Sequence, residues 1–201
     1  MIYSNLSDLL NILQKNSLFA KKKFGQNFLI NPSILDSIIT AAEIQNDDFI
    51  IEVGPGLGFL TSKLIPLIKN LLAIEIDPNL FSYLKTQLNP NPNLKIINQD
   101  ILKTTVPNIP YKLVANIPYY ITSPILNHFF QVTPPGLRPN LIVLLVQKEV
   151  AQKICTKDGA HSILSLQTQI FGKPEIYQIV KPENFYPIPK IESAILKIKT
   201  Y

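Results

Sequence analysis

The sequence predicts an α/β fold, a mostly parallel seven-stranded sheet with helices on both faces. Two observations carry this prediction. Short apolar runs recur along the chain without polar alternation, and segments of helical length separate them. Continuous apolar runs are typical of strands in a parallel sheet that helices cover on both faces. With 201 residues, 46% of them hydrophobic, the chain can bury one sizeable core.

Five apolar runs predict the parallel strands, and the segments between them predict helices. The predicted strands are residues 49–53, 71–76, 94–97, 112–115 and 141–146. The predicted helices are residues 59–68, 78–88 and 123–130. Residues 176–180 and 191–198 predict two closing strands, the second alternating as an antiparallel strand would.

Residues 1–20 predict an amphipathic helix that docks on the main domain, residues 21–201. Leucines at helical spacing form its apolar face: Leu6, Leu9, Leu10 and Leu13. A basic loop at 21–23 follows, and Asn31 then opens a predicted helix that extends to residue 44.

Composition excludes several classes of protein. No apolar run approaches the ~20 residues that a membrane-spanning helix needs, and the N-terminus lacks a signal-peptide layout. A single cysteine, Cys155, excludes an internal disulfide, and with His128 and His161 it gives no zinc-binding spacing. We therefore expect a soluble, cytoplasmic protein without a metal site. The net charge of +5, from 18 lysines and Arg138 against 14 acidic residues, weakly favours an anionic partner.

A glycine-rich turn, Gly54-Pro55-Gly56-Leu57-Gly58, joins the first predicted parallel strand to a helix. Glycines at this place let a ligand approach the backbone closely. The spacing is not that of a dinucleotide-binding turn, and no G-K-[ST] sequence follows to hold a nucleoside triphosphate. A nicotinamide or ATP site is therefore disfavoured.

Acidic residues follow the next strands at the same edge of the sheet. Glu75 lies 21 positions after Gly54, where a carboxylate can accept both hydroxyls of a ribose. Glu52 and Asp77 are alternatives for this role. Asp100 is placed at the end of the third predicted parallel strand.

The fourth predicted parallel strand leads into Asn116-Ile117-Pro118-Tyr119, which offers an amide, a carbonyl and an aromatic ring together. An exocyclic base nitrogen is a poor nucleophile because its lone pair is delocalised into the ring. Two acceptors, the Asn116 side-chain oxygen and the Pro118 carbonyl, can hold its N–H groups while Tyr119 stacks on the base. An ordinary strand-ending turn is the alternative interpretation.

These motifs together resemble those of the KsgA-type rRNA adenine dimethyltransferases, whose relatives include the Erm methylases. The likeness extends from about residue 20 to 198. It rests on Lys-Phe-Gly-Gln-Asn-Phe-Leu (23–29), Glu-Val-Gly-Pro-Gly-Leu-Gly-Phe-Leu-Thr (52–61), Glu-Ile-Asp (75–77), Gln-Asp (99–100), Asn-Ile-Pro-Tyr-Tyr-Ile-Thr-Ser-Pro (116–124), Val-Gln-Lys-Glu-Val-Ala (146–151) and Phe-Tyr-Pro-Ile-Pro-Lys-Ile-Glu-Ser-Ala (185–194). The first and fifth of these favour the KsgA branch over Erm.

The resemblance implies the Rossmann-like fold of class I S-adenosylmethionine-dependent methyltransferases, with S-adenosylmethionine as cofactor. The cofactor-binding residues that it implies are Asn27, Leu29, Gly54, Gly56, Glu75, Asp100 and Asn116. The residues that it places at the target adenine are Asn116, Pro118, Tyr119 and Phe185, with the last two clamping the base from opposite faces. Lys21, Lys22 and Lys23 would contact RNA phosphates.

The implied reaction is N6,N6-dimethylation of two adjacent adenosines in a hairpin loop near the 3′ end of small-subunit rRNA, within a pre-30S ribosomal particle. The expected enzyme is a monomer, and it lacks the small C-terminal helical domain that usually follows in this family. The family often has a Tyr-Gly or Tyr-Ser pair where this chain has His161-Ser162, and we expect no catalytic role for His161.

Three other functions stay open at this point. An Erm-like enzyme would methylate large-subunit rRNA instead. A non-catalytic ribosome-assembly factor or nucleic-acid-binding module would use the same fold as a platform. A nicotinamide-dependent oxidoreductase is the most remote.

Overall fold

The computed structural model describes residues 6–88, 91–156 and 162–201. The strands in these ranges are β1 (Phe28–Leu29), β2 (Phe49–Val53), β3 (Asn70–Glu75), β4 (Leu94–Asn98), β5 (Lys112–Asn116), β6 (Leu141–Gln147), β7 (Gly172–Val180), β8 (Phe185–Tyr186) and β9 (Ser193–Thr200). The α-helices are α1 (Leu6–Lys15), α2 (Pro32–Ala41), α3 (Phe59–Leu64), α4 (Pro78–Leu88), α5 (Thr122–Asn127), α6 (Lys148–Ile154) and α7 (Ile163–Phe171).

Seven strands form the central sheet in the order β4-β3-β2-β5-β6-β9-β7. The first five are parallel, and β9 lies antiparallel between β6 and β7. The predicted mostly parallel, seven-stranded sheet is thus confirmed. Strands β1 and β8 form a separate two-stranded antiparallel ribbon.

The two closing strands differ from the prediction. Alternation between exposed and covered residues occurs along β7, whereas Ser193, Ala194, Ile195 and Leu196 of β9 are all buried. The alternation predicted for residues 191–198 is therefore wrong. The physical reason is position, because β9 is an interior strand covered on both faces and β7 is the edge of the sheet.

Apolar layers cover both faces of the sheet. On one face, Phe129 and Phe130 pack with Leu113 of β5, and on the other face Ile38 and Leu64 pack with strand residues that include Val114. Because side chains alternate along a strand, neighbours such as Leu113 and Val114 serve opposite layers. The predicted helices on both faces are confirmed. No helix in the described ranges is long and apolar enough to cross a lipid bilayer.

Several helices end or change type where the local sequence or backbone geometry changes. Helix α3 ends at Leu64 and continues as a 3₁₀ turn, Ile65–Leu67, which contains Pro66, a residue without a backbone donor. Helix α5 continues as a π-helical turn, His128–Val132. Helix α2 ends at Ala41, earlier than predicted, and Glu43 just beyond it has a left-handed φ of 48°.

Helix α1 packs beside the glycine-rich turn. Its Leu9 and Leu13 are buried in a cluster with Leu57 and with Leu80 and Leu84 of α4. The other two leucines of the predicted apolar face, Leu6 and Leu10, are exposed. Two of the four leucines therefore make the predicted docking contact. Residues 1–5 of the predicted extension lie outside the described residues.

Candidate active site

A cavity of about 290 Å³ opens at the carboxyl ends of β2, β3 and β5. Its walls come from loop 24–29, from the glycine-rich turn, from the segments after β3 and β4, and from loop 116–121. Strands β3 and β5 lie on opposite sides of β2, so the order in which successive strands are added to the sheet reverses at β2. Open α/β sheets bind ligands at such a switch point.

The glycine-rich turn brings its backbone to the cavity wall. Gly54 and Gly56 have φ values of 65° and 63°, in the left-handed region that glycine adopts at little cost. A Cβ atom on Gly54 would meet no atom within 4 Å, because this residue faces open space at the cavity. The structure therefore places both predicted glycines where a ligand can lie against the main chain.

Glu75 is buried at the end of β3 and lines the cavity. Its Oε2 accepts a hydrogen bond from the Gly56 backbone N–H at 3.1 Å, and Oε1 accepts one from the Asp77 N–H at 2.8 Å. Burial raises the pKa of this carboxyl to about 7, although these backbone donors oppose the shift. A carboxylate offers about four acceptor positions, so about two remain for the hydroxyls of a ligand.

The two alternatives to Glu75 are less suited to a ribose. Glu52 lines the cavity, but burial raises its pKa to about 8, and Thr61 Oγ1 donates to its Oε2 at 2.7 Å. Asp77 lies outside the set of cavity-lining residues, and protein donors already contact both of its carboxylate oxygens. Among the three carboxylates, the geometry favours Glu75.

Lys21 differs from its expected role as a phosphate contact. Its Nζ lies 2.7 Å from Oδ1 of Asp77, a carboxylate that is only 1% exposed. Burial by itself would raise the pKa of Asp77, but hydrogen bonds from Lys21, Asn79 and Gln26 lower it overall. Lys21 and, from loop 24–29, Gln26 therefore both bond to Asp77 at the end of β3, and the charge of Lys21 faces a carboxylate of the protein.

The other two lysines of the basic loop lie in a 3₁₀ turn, Lys22–Phe24. Lys23 is exposed, with its Nζ 4.7 Å from the centroid of the Phe24 ring. A lysine on an exposed turn beside the cavity remains suited to phosphate.

Asp100 lines the cavity but lies two residues beyond the end of β4. Its Oδ1 accepts a hydrogen bond from the Leu102 N–H at 3.0 Å and caps a short 3₁₀ turn. Sequence reasoning missed two apolar neighbours, Ile76 and Leu102, whose partly exposed side chains line the same cavity. An apolar residue directly after a strand-ending carboxylate, as in Glu75-Ile76, was the available signal.

The loop after β5 completes the cavity. Asn116 Nδ2 donates to the Asn27 backbone oxygen at 3.3 Å, and Asn116 Oδ1 accepts no hydrogen bond from any residue that the structure describes. The Tyr119 hydroxyl lies 2.7 Å from Ser193 Oγ, and burial raises the pKa of this phenol. Other predicted residues that line the cavity with Gly54, Gly56, Glu75 and Asp100 are Asn27, Leu29, Asn116, Pro118 and Tyr119.

Phe185 is not where the predicted aromatic clamp needs it. In the antiparallel β1–β8 ribbon it lies opposite Leu29, and its side chain is 1% exposed. The ring belongs to the apolar cluster that contains Ile38 and Val180, and it does not line the cavity. The expectation that Phe185 stacks on a base is therefore corrected, because this ring is a core side chain.

Within the described ranges, no group of three or more His, Cys, Asp or Glu side chains is arranged to hold a metal ion. His161 lies outside the described residues, so its expected lack of a catalytic role stays a prediction.

Comparison with known proteins identifies the family. The profile of the family described as "Ribosomal RNA adenine dimethylase" matches residues 18–200. A relative from Dehalococcoides mccartyi, "Ribosomal RNA small subunit methyltransferase A", is 41% identical over 192 residues, which cover 93% of this chain and 65% of the relative. The chain thus spans about two thirds of that relative's length.

Two solved structures resemble the whole fold. A dimethyladenosine transferase from Plasmodium falciparum has a TM-score of 0.75 at 35% identity, covering 85% of this chain and 62% of that one. The 23S rRNA methyltransferase ErmE has a TM-score of 0.79 at 30% identity, covering 87% and 70%. These likenesses confirm the Rossmann-like fold of class I S-adenosylmethionine-dependent methyltransferases. Together with the matched profile, they establish that this chain belongs to the ribosomal RNA adenine dimethylase family.

Proposed function

We propose that this chain catalyses the S-adenosylmethionine-dependent N6,N6-dimethylation of two adjacent adenosines in a hairpin loop near the 3′ end of small-subunit rRNA. One observation carries the proposal. The glycine-rich turn with Glu75 and the loop with Asn116 and Pro118 share a single cavity. A cofactor site and a site for a planar amine therefore adjoin.

The residues around the cavity fit the cofactor. Gly54 leaves open space along the backbone for the methionine end, and Glu75 keeps acceptor positions for the ribose hydroxyls. Asp100 would accept a hydrogen bond from the adenine amine, and the apolar side chains of Ile76 and Leu102, which line the same cavity, suit the faces of the adenine ring. Asn27 and Leu29 would cover the bound molecule. S-adenosylmethionine, when bound, supplies a methyl group on a positively charged sulfur.

The residues at the target base supply orientation and hydrogen-bond acceptors. Asn116 Oδ1 and the Pro118 carbonyl would each accept an N–H of the exocyclic amine, which localises the nitrogen lone pair for attack. The hydrogen bond from Asn116 Nδ2 to Asn27 fixes which end of the amide faces the base. The Tyr119 ring would stack on that base. The product amine can lose its proton to water, so the chemistry needs no strong base.

The proposed substrate is presented in a pre-30S particle in the cytoplasm. Lys23 would contact a phosphate near the cavity mouth, and this part of the affinity weakens as salt rises. The ion pair of Lys21 with Asp77 makes Lys23 the better candidate of the two for that contact.

Transfer of a labelled methyl group to undermethylated small ribosomal subunits tests the proposal. Digestion of the RNA should yield labelled N6,N6-dimethyladenosine, and the Asn116→Ala variant should form it about 10²- to 10³-fold more slowly. Absence of transfer by a folded chain that binds S-adenosylmethionine would contradict the proposed substrate. Full ribosome maturation with the Asn116→Ala variant would favour a non-catalytic assembly factor.

An Erm-like activity on large-subunit rRNA is a second candidate, which the TM-score of 0.79 to ErmE favours. Labelling mixed small and large subunits that lack methylation separates the two. Label confined to the large-subunit RNA would replace the first proposal with the second.

A further inference from the structure

An exposed aromatic ring lies at the mouth of the cavity, and the proposed reaction gives it no role. Tyr120 lies in the 3₁₀ turn Tyr119–Ile121, lines the cavity and is 60% exposed. Its neighbour Tyr119 is half-buried and tied to Ser193, and Phe185 is a core residue. Tyr120 is therefore the tyrosine at this mouth that presents its ring to solvent.

Close packing against a glycine holds the Tyr120 ring in place. A Cβ atom on Gly25 would lie 3.2 Å from Cε1 of Tyr120, and also 3.2 Å from Cβ of Pro118. Gly25 has a φ of 57°, so the left-handed backbone and the close approach both favour glycine here. One edge of the ring thus lies against the main chain of Gly25.

The polar end of Tyr120 does not contribute a hydrogen bond to the described fold. Its hydroxyl makes no hydrogen bond within the described parts of the chain, whereas the Tyr119 hydroxyl is bonded to Ser193. Lys23, two residues before Gly25, is exposed on the adjoining turn. A flat ring with a cation nearby is the combination that binds single-stranded nucleic acid, because every base has a π-face and every nucleotide a phosphate.

We infer that Tyr120 is a base-stacking residue that receives a nucleobase next to the target adenosine. This inference rests on the proposed function and adds a contact at the mouth of the catalytic cavity. Stacking on Tyr120 would hold the strand open while the target base enters between Asn116 and Tyr119. It would also orient one adenosine while its neighbour reacts.

The absence of tryptophan from the chain allows a direct test. The Tyr120→Trp variant carries one tryptophan, whose fluorescence should be quenched by a short single-stranded RNA with two adjacent adenosines. A matched control is Tyr177→Trp, at an exposed position on the edge strand β7, which should show no quenching. Equal responses of the two variants would overturn the inference.

Kinetics give a second, independent readout. Tyr120→Ala should raise the KM for small subunits by roughly 5- to 150-fold, the range of base stacking on an aromatic side chain. Tyr120→Phe should keep the original KM, and neither variant should change the Kd for S-adenosylmethionine. An unchanged KM in Tyr120→Ala would overturn the inference. Quenching in Tyr120→Trp without methyl transfer by the unmodified chain would support the stacking contact and contradict the proposed reaction.

Discussion

The glutamates at the two ends of the central sheet differ in whether a lysine pairs with them. At the amino end, lysines and acids pair directly, with Lys112 Nζ 2.7 Å from Asp48 and Lys197 Nζ 2.6 Å from Glu43. At the carboxyl end, Asp77 pairs with Lys21, but the buried Glu52 and Glu75 have no ion pair with a cation of the described residues.

The pKa values of the two ends follow this difference. The hydrogen bond and charge of Lys197 lower the pKa of Glu43, whereas burial raises the pKa of Glu52 to about 8 and that of Glu75 to about 7. Groups at the amino end satisfy one another and stabilise the fold. The carboxyl end keeps unpaired acceptors and left-handed glycines, a costly arrangement that is typical of a binding site. Substitutions at matched positions on the two ends can break or sharpen this contrast.

The largest contrast is expected between two asparagines. Asn116→Ala removes an acceptor at the reacting amine and should lower the rate of methyl transfer by about 10²- to 10³-fold, the usual cost of one oriented polar group. Asn140→Ala, before the amino end of β6, should leave the rate unchanged. Initial rates with labelled cofactor measure both. Equal rates for the two variants would remove Asn116 from the mechanism.

The next contrast compares two glycines. Gly54→Ala forces a side chain into the left-handed region, which costs about 1–2 kcal/mol, and directs a methyl group into the cavity. Its affinity for S-adenosylmethionine should fall by about tenfold or more. Gly136→Ala, outside the cavity and with no atom within 4 Å of the added Cβ, serves as the control and should bind normally. Normal binding by Gly54→Ala would contradict the placement of the cofactor.

A smaller contrast compares two half-buried lysines. Lys21→Met leaves Asp77 without its cation but with its other two donors, and should reduce the free energy of unfolding by about 1–3 kcal/mol, the cost of removing one partner of a buried polar group. It should also weaken cofactor binding, because loop 24–29 is then held to Asp77 through the Gln26 side chain without the neighbouring Lys21 contact. Lys112→Met should destabilise the fold alone. Chemical denaturation and calorimetry separate the two effects, and a cofactor affinity that falls equally in both variants would disprove the attachment.

The smallest contrast concerns the pH dependence of stability. The pKa of Glu52 is raised in the folded chain, so the folded state binds more protons than the unfolded state between about pH 4.5 and 8, and stability falls as pH rises through this window. Glu52→Gln should remove the part of that fall that Glu52 causes, leaving the part caused by Glu75, and should raise the Tm at pH 8 more than at pH 5. Glu43 has a lowered pKa, so Glu43→Gln should lose a little stability above pH 4.5. Thermal melts at several pH values test both signs. The same pH profile for both variants would contradict the contrast.

Much of this architecture could be predicted from local sequence. Buried parallel strands read as apolar runs, and the glycine-rich turn and the loop after β5 follow such runs directly. Their meeting at one edge follows from parallel topology, since carboxyl ends of parallel strands point the same way. The cavity therefore contains the predicted glycines, Glu75 and Asn116.

What could not be predicted depends on contacts between distant segments. Lys21 and Asp77 are 56 positions apart, and no local pattern shows that a basic loop will fold back on a buried carboxylate. The burial of Phe185 depends on pairing with Leu29, which precedes it by more than 150 positions. Exposed and covered residues alternate along β7 and not along β9, and this depends on which strand becomes the edge of the sheet. Each of these is decided by tertiary packing.

The central claim is that hydrogen-bond acceptors at the carboxyl end of the sheet, above all Glu75, bind S-adenosylmethionine. Calorimetric titration of this cofactor into the chain tests the claim most directly. We predict binding of one molecule per chain. Glu75→Ala should weaken it by roughly 10- to 100-fold, the cost of losing hydrogen bonds to a charged group, and Glu183→Ala, at an exposed carboxylate, should not. A folded chain that binds no S-adenosylmethionine, or equal affinity in all three proteins, would contradict the claim.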